Sequence, residues 1–450
     1  MRPLPDATII VLNWNGQAYL ESCLSALLSQ TVAARRLVLA DNDSTDESIA
    51  LVREKFPMVE ILENNANLGY AGGNNAALRM VNTEIAVLVN PDIVVEADWL
   101  AHLMAAFTAK PDMGVAGCKL LYPDGKQLQH AGGIITHPLA MPGHRGMYEK
   151  DDGQFTDAAD VDFVTGAAMA VSRAMMEEVG LLDEGFFMYF EDADWCTRAR
   201  RHGYRVIYVP EALAIHDESA LAVRGSLSYL RRFHSGRWRY LLKHFDPAEI
   251  VDRSLPEEVR ALALHVGWER QALAWAYHHT LKQLPAIMAT RLKHGATAIP
   301  AAAQELIELD LQELRREAML WPSDPNAQEW LAEAGRVTPQ PFSSHTPLFG
   351  PLFARLRDLW AGVAAKPFVG ALNAQQNALN QAFIEELSAL EQRMMALRQV
   401  WLERETDQRQ VHQELAAIEE ELFESQRLLQ SIEARLARLE ASREEAEHEL

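Results

Sequence analysis

What most constrains this chain is how its first four apolar runs end. Residues 8–12 (TIIVL), 37–40, 59–62 and 85–89 are short and apolar, as expected of strands buried on both faces of a parallel sheet. Each stops in polar residues: Asn13 and Asn15 after the first, 41–46 (DNDSTD) after the second, 65–75 after the third, Asn90 and Asp92 after the fourth. Between them, 17–30 sets Leu20, Leu24, Leu27 and Leu28 on one helical face, and 41–46 would cap a helix over 47–56. Strand and helix in turn, with short connections, make an α/β fold. In an open parallel sheet the strand ends share one edge, where ligands bind. Gly69, Gly72 and Gly73 do not spell the dinucleotide fingerprint, so a Rossmann site is rejected, and plain turn glycines are an equally good reading. Pro91 stops the fourth strand and leaves the Asp92 carboxylate at its end, which suits a hard divalent ion or an ordinary turn.

Further along, 97–107 reads as a helix, 114–122 as a strand and 123–125 as a turn. Residues 129–160 are rich in Gly, His, Pro and Asp without periodicity, and are expected to form a loop over the site. Residues 163–171 are a buried segment and 175–179 a short helix. Then comes 186–195, FFMYFEDADW, in which bulky apolar residues run into Glu191, Asp192 and Asp194. Apolar walls beside acids are what a carboxylate base needs, because a fixed charge counts for more in a partly dry site. Acids in the first turn of any helix are also favoured by its dipole. A strand over 205–209 and another ending at 214–217 follow, with His216 either a metal ligand or a surface histidine.

Composition removes several function classes. A formal charge of −21 argues against nucleic-acid binding, which needs a basic surface. The three cysteines, Cys23, Cys118 and Cys196, show no metal-ligand spacing and read as reduced thiols, which points to the cytoplasm. No basic-then-apolar leader opens the chain, and no apolar stretch is long enough for a spanning helix. With 48% apolar residues, 450 residues are enough for a real core and two or three domains.

Seven blocks, in this order and spacing, resemble glycosyltransferase family 2, the inverting GT-A enzymes: TIIVLNWNG, LADNDSTDES, NANLGYAGGNNAAL, VLVNPDIVV, VTGAAMAVSR, GLLDEGFFMYFEDADWCTRARRHGYRVIYV and PEALAIH. The resemblance is closest to the rhamnosyltransferase-like branch that builds bacterial surface polysaccharides. It implies a GT-A domain over 1–245, a mostly parallel sheet flanked by helices. It also implies that Asn15 and Asp41 lie against the base and ribose of a nucleotide-diphospho-sugar. The 67–74 loop, with Asn67, Gly69, Gly73 and Asn74, would help hold that donor together with Asn90 and Asp92. Asp92 stands where the family's D-x-D motif ends; Asn90 replaces the first acid, which puts the strength of metal binding in doubt. His216 matches a histidine that joins Asp92 on the metal, Mg²⁺ or Mn²⁺, in some members. Asp192 matches the catalytic base, with Glu191 and Trp195 on the acceptor side. The implied activity is non-processive transfer of a sugar, rhamnose-type favoured, to a glycan or lipid-linked glycan. Processive relatives carry Q-x-x-R-W, whereas this chain has HSGRW at 234–238.

Residues 229–245 (YLRRFHSGRWRYLLKHF) mix cations with aromatics, so this helix would either lie on an anionic membrane at the inner face of the cell envelope or pack on the sheet. A helical region over 246–338, with Leu262, Val266, Leu273, Leu281 and Leu284 as core, precedes a linker with short helices over 339–380. From 381, and regularly from 387 to 450, apolar residues fall at alternating spacings of three and four, a coiled coil of about 95 Å at roughly 1.5 Å per residue. With Leu387 at a, a parallel in-register dimer would oppose Glu386 to Glu391, Arg393 to Arg398 and Glu414 to Glu419, so an antiparallel pair, a higher oligomer or a different partner chain is expected. A scaffold that binds nucleotide sugar and recruits assembly enzymes through this coil is the competing function.

Overall fold

A computed structural model describes residues 4–218, 225–265 and 267–320. The elements run β1 (Ala7–Asn13), α1 (Gln17–Leu28), β2 (Arg36–Asp41), α2 (Ser48–Lys55), β3 (Glu60–Glu63), α3 (Gly69–Leu78), β4 (Ile85–Val89), β5 (Ile93–Val95), α4 (Trp99–Ala109) and β6 (Met113–Leu121). They continue with β7 (Leu128–His130), β8 (Gly133–Thr136), β9 (Met141–His144), β10 (Ala159–Asp160), β11 (Ala168–Ser172), α5 (Arg173–Val179), α6 (Glu191–Arg201) and β12 (Arg205–His216). The remaining elements are α7 (Leu227–His244), the single turn α8 (Pro247–Glu249), α9 (Leu255–Leu264), α10 (Gly267–Lys293) and α11 (Ala301–Leu320).

Among the described residues the main sheet has the order β10-β12-β6-β11-β4-β1-β2-β3, with β5 and β7 attached to β12 and β6. Strands β1 to β4 are mutually parallel where they pair, and β11 inserts antiparallel between β4 and β6. This is the mixed sheet of a GT-A fold, parallel over β1 to β4 and in the β12–β6 pair and antiparallel in its other pairings. The apolar runs explain it: all five residues of β4 and all nine of β6 are buried, because helices cover both faces. Two apolar clusters follow from the alternation of side chains, with Ile10 and Leu88 on one face of the sheet and Ile9 and Val87 on the other.

Four expectations change. The 67–74 segment is not a loop: it enters helix α3 at Gly69, and its glycines are there for close packing. The 129–160 stretch holds β7, the β8–β9 hairpin and β10 rather than one long loop. The two short strands expected over 205–217 are one twelve-residue strand, β12, irregular between Val209 and Leu213.

The fourth concerns 229–245, whose apolar face packs inside the domain, the second of the two alternatives, and leaves membrane contact without support. Leu230, His234, Arg237, Trp238, Arg239, Tyr240, Leu241, Leu242 and Lys243 of α7 are all buried. The cations have internal partners: Arg237 forks onto Glu258 at 2.6 and 2.8 Å, and Arg239 and Lys243 reach Asp183. Helix α10 packs along α7, and Arg291 of α10 donates to the carbonyls of Leu242 and Phe245. Residue 245 therefore marks no gap in packing. Leu262, Leu273 and Leu284 are core as expected and Leu281 packs against it, whereas Val266, residues 321–338, the 339–380 linker and the 381–450 coiled coil lie outside the described residues. No described helix is long and apolar enough to cross a membrane.

Candidate active site

The ends of β1 and β2 are stitched together by side chains. Asp41 is buried and accepts from Asn13 Nδ2 (2.8 Å), from the Ser44 amide (2.9 Å) and from Ser44 Oγ (2.6 Å). Asn15 adopts a left-handed conformation (φ 52°), and its Oδ1 accepts from the Thr45 amide at 2.8 Å. The two polar strand ends thus form one preformed rim. Asn42, buried behind it, donates to the Gly69 carbonyl (2.9 Å) and so ties the rim to α3.

Helix α3 begins under constraint. Asn67 Oδ1 accepts from the Gly69 amide at 3.0 Å, and Gly69 has φ 71°. A Cβ there would meet the Phe187 carbonyl oxygen at 2.4 Å, and one at Gly73 would meet Asn42 and Leu12 at 2.6 Å. These glycines are contact positions, a reason the pattern alone did not distinguish from turn chemistry. The Phe187 carbonyl accepts from the amides of Tyr70 (2.6 Å) and Ala71 (3.3 Å), so two of the first free amides of α3 are already used. Asn74 is buried and donates to the Tyr70 carbonyl at 3.0 Å, a bond within α3.

After β4, Asn90 and Asp92 turn out of the sheet, and the structure brings Asp92 and His216 together. Asp92 Oδ1 lies 3.4 Å from His216 Nε2, and the Asp217 amide donates to the Asp92 carbonyl. On its other side, His216 Nδ1 is 2.6 Å from Gln129 Oε1. An amide oxygen accepts only, so Nδ1 carries a proton, and in the neutral ring the Nε2 lone pair faces the carboxylate. That tautomer is the metal-binding one. Among the described residues no group of three or more His, Cys, Asp and Glu could hold a metal by itself. A carboxylate, an imidazole lone pair and open positions for phosphate oxygens and water nevertheless fit Mg²⁺ or Mn²⁺.

The segment 165–167 joins this corner to the acids. The Ala167 carbonyl accepts from the Asn90 amide at 2.8 Å, while the Gly166 amide donates to Asp192 Oδ2 at 2.9 Å. Asp192 Oδ1 accepts from the Ala193 amide at 2.7 Å. Glu191 is buried deeper, and its Oε2 has no hydrogen-bond partner among the described residues. Burial raises both carboxyls; for Glu191 the adjacent Asp192 charge adds to it, and for Asp192 the two backbone donors oppose it. Glu191 is therefore held further above its ordinary range than Asp192. Asp194 behaves differently. Burial pushes it up, yet Lys243 (2.5 Å), Arg198 (2.8 Å) and His244 (2.7 Å) hold it well below the carboxylate range.

The approach to α6 is unusual backbone. Phe187, Tyr189 and Phe190 all have positive φ, between 60° and 72°. Left-handed bulky residues are strained, and strain of this kind persists only where the surroundings fix it. Here α7 fixes it. Arg239 (5.3 Å) and Lys243 (5.0 Å) lie over the Phe186 ring, Arg232 over Phe187 (4.2 Å), Tyr229 against Tyr189 (5.0 Å) and Phe233 against Phe190 (5.4 Å). Trp195 is a further correction. It is fully buried and its Nε1 donates to the Gly180 carbonyl at 2.8 Å, so it anchors α6 in the core and faces no acceptor.

The family model of "Glycosyltransferase like family 2" matches residues 5–239, more than half of the 450. The chain belongs to this glycosyltransferase family. Among relatives, an uncharacterized protein of Sinorhizobium fredii is 31% identical over 231 residues, 49% of this chain and 25% of that protein. The chain thus spans about a quarter of that relative's length. An N-acetylglucosaminyl-diphospho-decaprenol L-rhamnosyltransferase of Mycobacterium tuberculosis is 24% identical over 294 residues, 61% of this chain and 89% of that one. Among solved structures, a mannosyltransferase of Pyrobaculum calidifontis is 18% identical, with a TM-score of 0.40 over 71% of this chain and 88% of that chain.

Within this family-2 domain, several supports escaped the sequence reading. Gln129 lay in a stretch with no periodicity. Asn75 Nδ2 donates to the Leu182 carbonyl and to Glu184, and its Oδ1 accepts from the Leu182 amide, which moors α3 to the segment before α6. One signal was available for it: a second asparagine directly after Asn74, inside a run of small residues.

Proposed function

We propose that this chain is an inverting glycosyltransferase that moves a sugar from a nucleotide-diphospho-sugar to a hydroxyl of a growing bacterial surface glycan, without processivity. The observation that carries this reading is the tie through 165–167, which holds Asp192 on one side and the Asn90–Asp92 turn on the other. Inverting transfer needs a base on one face of the anomeric carbon and charge neutralisation on the other.

In this mechanism Asp192 accepts the proton of the acceptor hydroxyl as its oxygen attacks. The Gly166 and Ala193 amides keep the carboxylate aimed and favour its ionised form, while burial and the adjacent Asp192 charge push the Glu191 carboxyl up. The joined rim of Asn13, Asn15, Asp41 and Ser44 receives the base and ribose, with Asn67, Gly69, Gly73 and Asn74 setting the donor-side wall. Asp92 and His216 would hold Mg²⁺ or Mn²⁺, whose charge offsets that of the departing diphosphate. Gln129 keeps His216 in the tautomer that permits this.

The rhamnosyl donor and a lipid-linked glycan acceptor are favoured by the name of the M. tuberculosis relative, and a cytoplasmic supply of nucleotide sugar goes with them. Release of nucleoside diphosphate from a panel of donors, with and without Asp192→Asn, tests the reading. Loss of turnover with donor binding intact is expected. No turnover by the native chain with any donor and acceptor would favour the scaffold instead.

A further inference from the structure

Most cations near the site are spoken for. Arg198 and Lys243 meet Asp194, Arg239 meets Asp183, and Arg237 meets Glu258. Arg232 differs. It sits on α7 one turn after Tyr229, partly buried, and no carboxylate of the described residues pairs with it. Its guanidinium lies 4.2 Å from the centroid of the Phe187 ring, and that ring is packed against Gly69, where a Cβ would approach it to 2.6 Å. Phe187 therefore stands between Arg232 and the first residue of α3. Tyr189, two residues on, packs against Tyr229, one turn before Arg232 on α7, at 5.0 Å. Arg232 thus borders the wall that leads to Glu191 and Asp192, in a chain whose formal charge is −21. Partial burial without a counter-charge costs free energy, and a guanidinium is a planar fork matched to phosphate oxygens.

We propose that Arg232 is an anion-binding residue of the site and takes a phosphate group, either of the donor's diphosphate or of a diphosphate carried by the acceptor. The flat face of Phe187 holds the guanidinium in orientation by cation–π contact, while Tyr189 and Tyr229 offer the adjoining aromatic wall against which a sugar ring can lie. No covalent step is assigned to Arg232. The inference rests on the transferase reading for the identity of the anion, and its test needs no turnover. A result in which Asp192→Asn leaves turnover intact would remove that reading without touching the titrations below.

The full chain and its Arg232→Gln and Arg232→Lys variants are titrated calorimetrically, with Mg²⁺ present, against inorganic pyrophosphate, UDP, dTDP and farnesyl diphosphate. Arg232→Gln is expected to weaken pyrophosphate about ten-fold or more, and Arg232→Lys less, because it keeps the charge without the fork. Equal weakening of UDP or dTDP assigns the group to the donor. Nucleotides bound as in the native chain, with farnesyl diphosphate weakened, assign it to the acceptor. Arg232→Lys keeps the stem and charge, so native binding by Lys together with loss by Gln supports the proposal even if Gln lowers the melting temperature. All four ligands bound within about two-fold of the native chain by Arg232→Gln would overturn it.

Discussion

Asp192 and Glu191 are adjacent in sequence and differ in what surrounds them. Glu191 has a buried oxygen with no hydrogen-bond partner among the described residues, whereas Asp192 is held by two amides. The sign of the pH effect follows. A carboxyl whose folded pKa is raised contributes full stability below its ordinary value, 4.5 for Glu191, and loses it as pH rises toward the raised one. Glu191→Gln should therefore raise the melting temperature at neutral pH, by about 1–2 kcal/mol of stability, with the gain vanishing below about pH 4, which a series of thermal melts would check. In the proposed mechanism turnover depends on the ionised form of Asp192. The acid limb of the pH–rate profile should lie above 3.8, the ordinary aspartate value, because burial raises Asp192. Gly69 gives a second prediction. Its φ of 71° and the Phe187 oxygen 2.4 Å from any Cβ mean that Gly69→Ala should cost at least about 1–2 kcal/mol and weaken donor binding, measurable by melting and by nucleotide titration.

Helix α7 shows most clearly where the sequence was legible and where it was not. The periodicity over 229–245 identifies a helix, yet a cation beside an aromatic looks the same on a membrane and in a core. The deciding partners, Asp183, Asp194, Glu258 and Glu269, lie between 21 and 60 positions away for the contacts concerned. The strand ends were readable because their polarity is local. Trp195, three positions after Asp192 and near the same helix face, was read as a site residue because its burial depends on a partner the local pattern does not show, the Gly180 carbonyl fifteen positions upstream. Asp194 is the pivot of this element pair. Asp194→Asn would leave Lys243 and Arg198 buried with one counter-charge fewer, at a cost of roughly 3–5 kcal/mol, to be checked by denaturant unfolding. Gln129 acts over a shorter path. Gln129→Ala releases His216 from its tautomer, so Mn²⁺ affinity measured by titration should drop about 10- to 100-fold while the sheet stays intact.

The family match ends at 239, inside α7, while the described packing runs on to Leu320. A chain cut after 245 would uncover Trp238, Leu241 and Leu242, and strand Arg237 without Glu258. It should aggregate, whereas one ending at 320 should give a single sharp melt, and comparison of the two by light scattering and calorimetry decides this. The ion pair between Asp183 and Lys243 spans 60 positions. During synthesis, at about 5–20 residues per second, Asp183 leaves the ribosome roughly 3–12 s before the cation that pairs with it. For most of that interval the nascent chain carries the left-handed residues Phe187, Tyr189 and Phe190 without the α7 side chains that pack on them, and the finished geometry arrives only with the helix that follows.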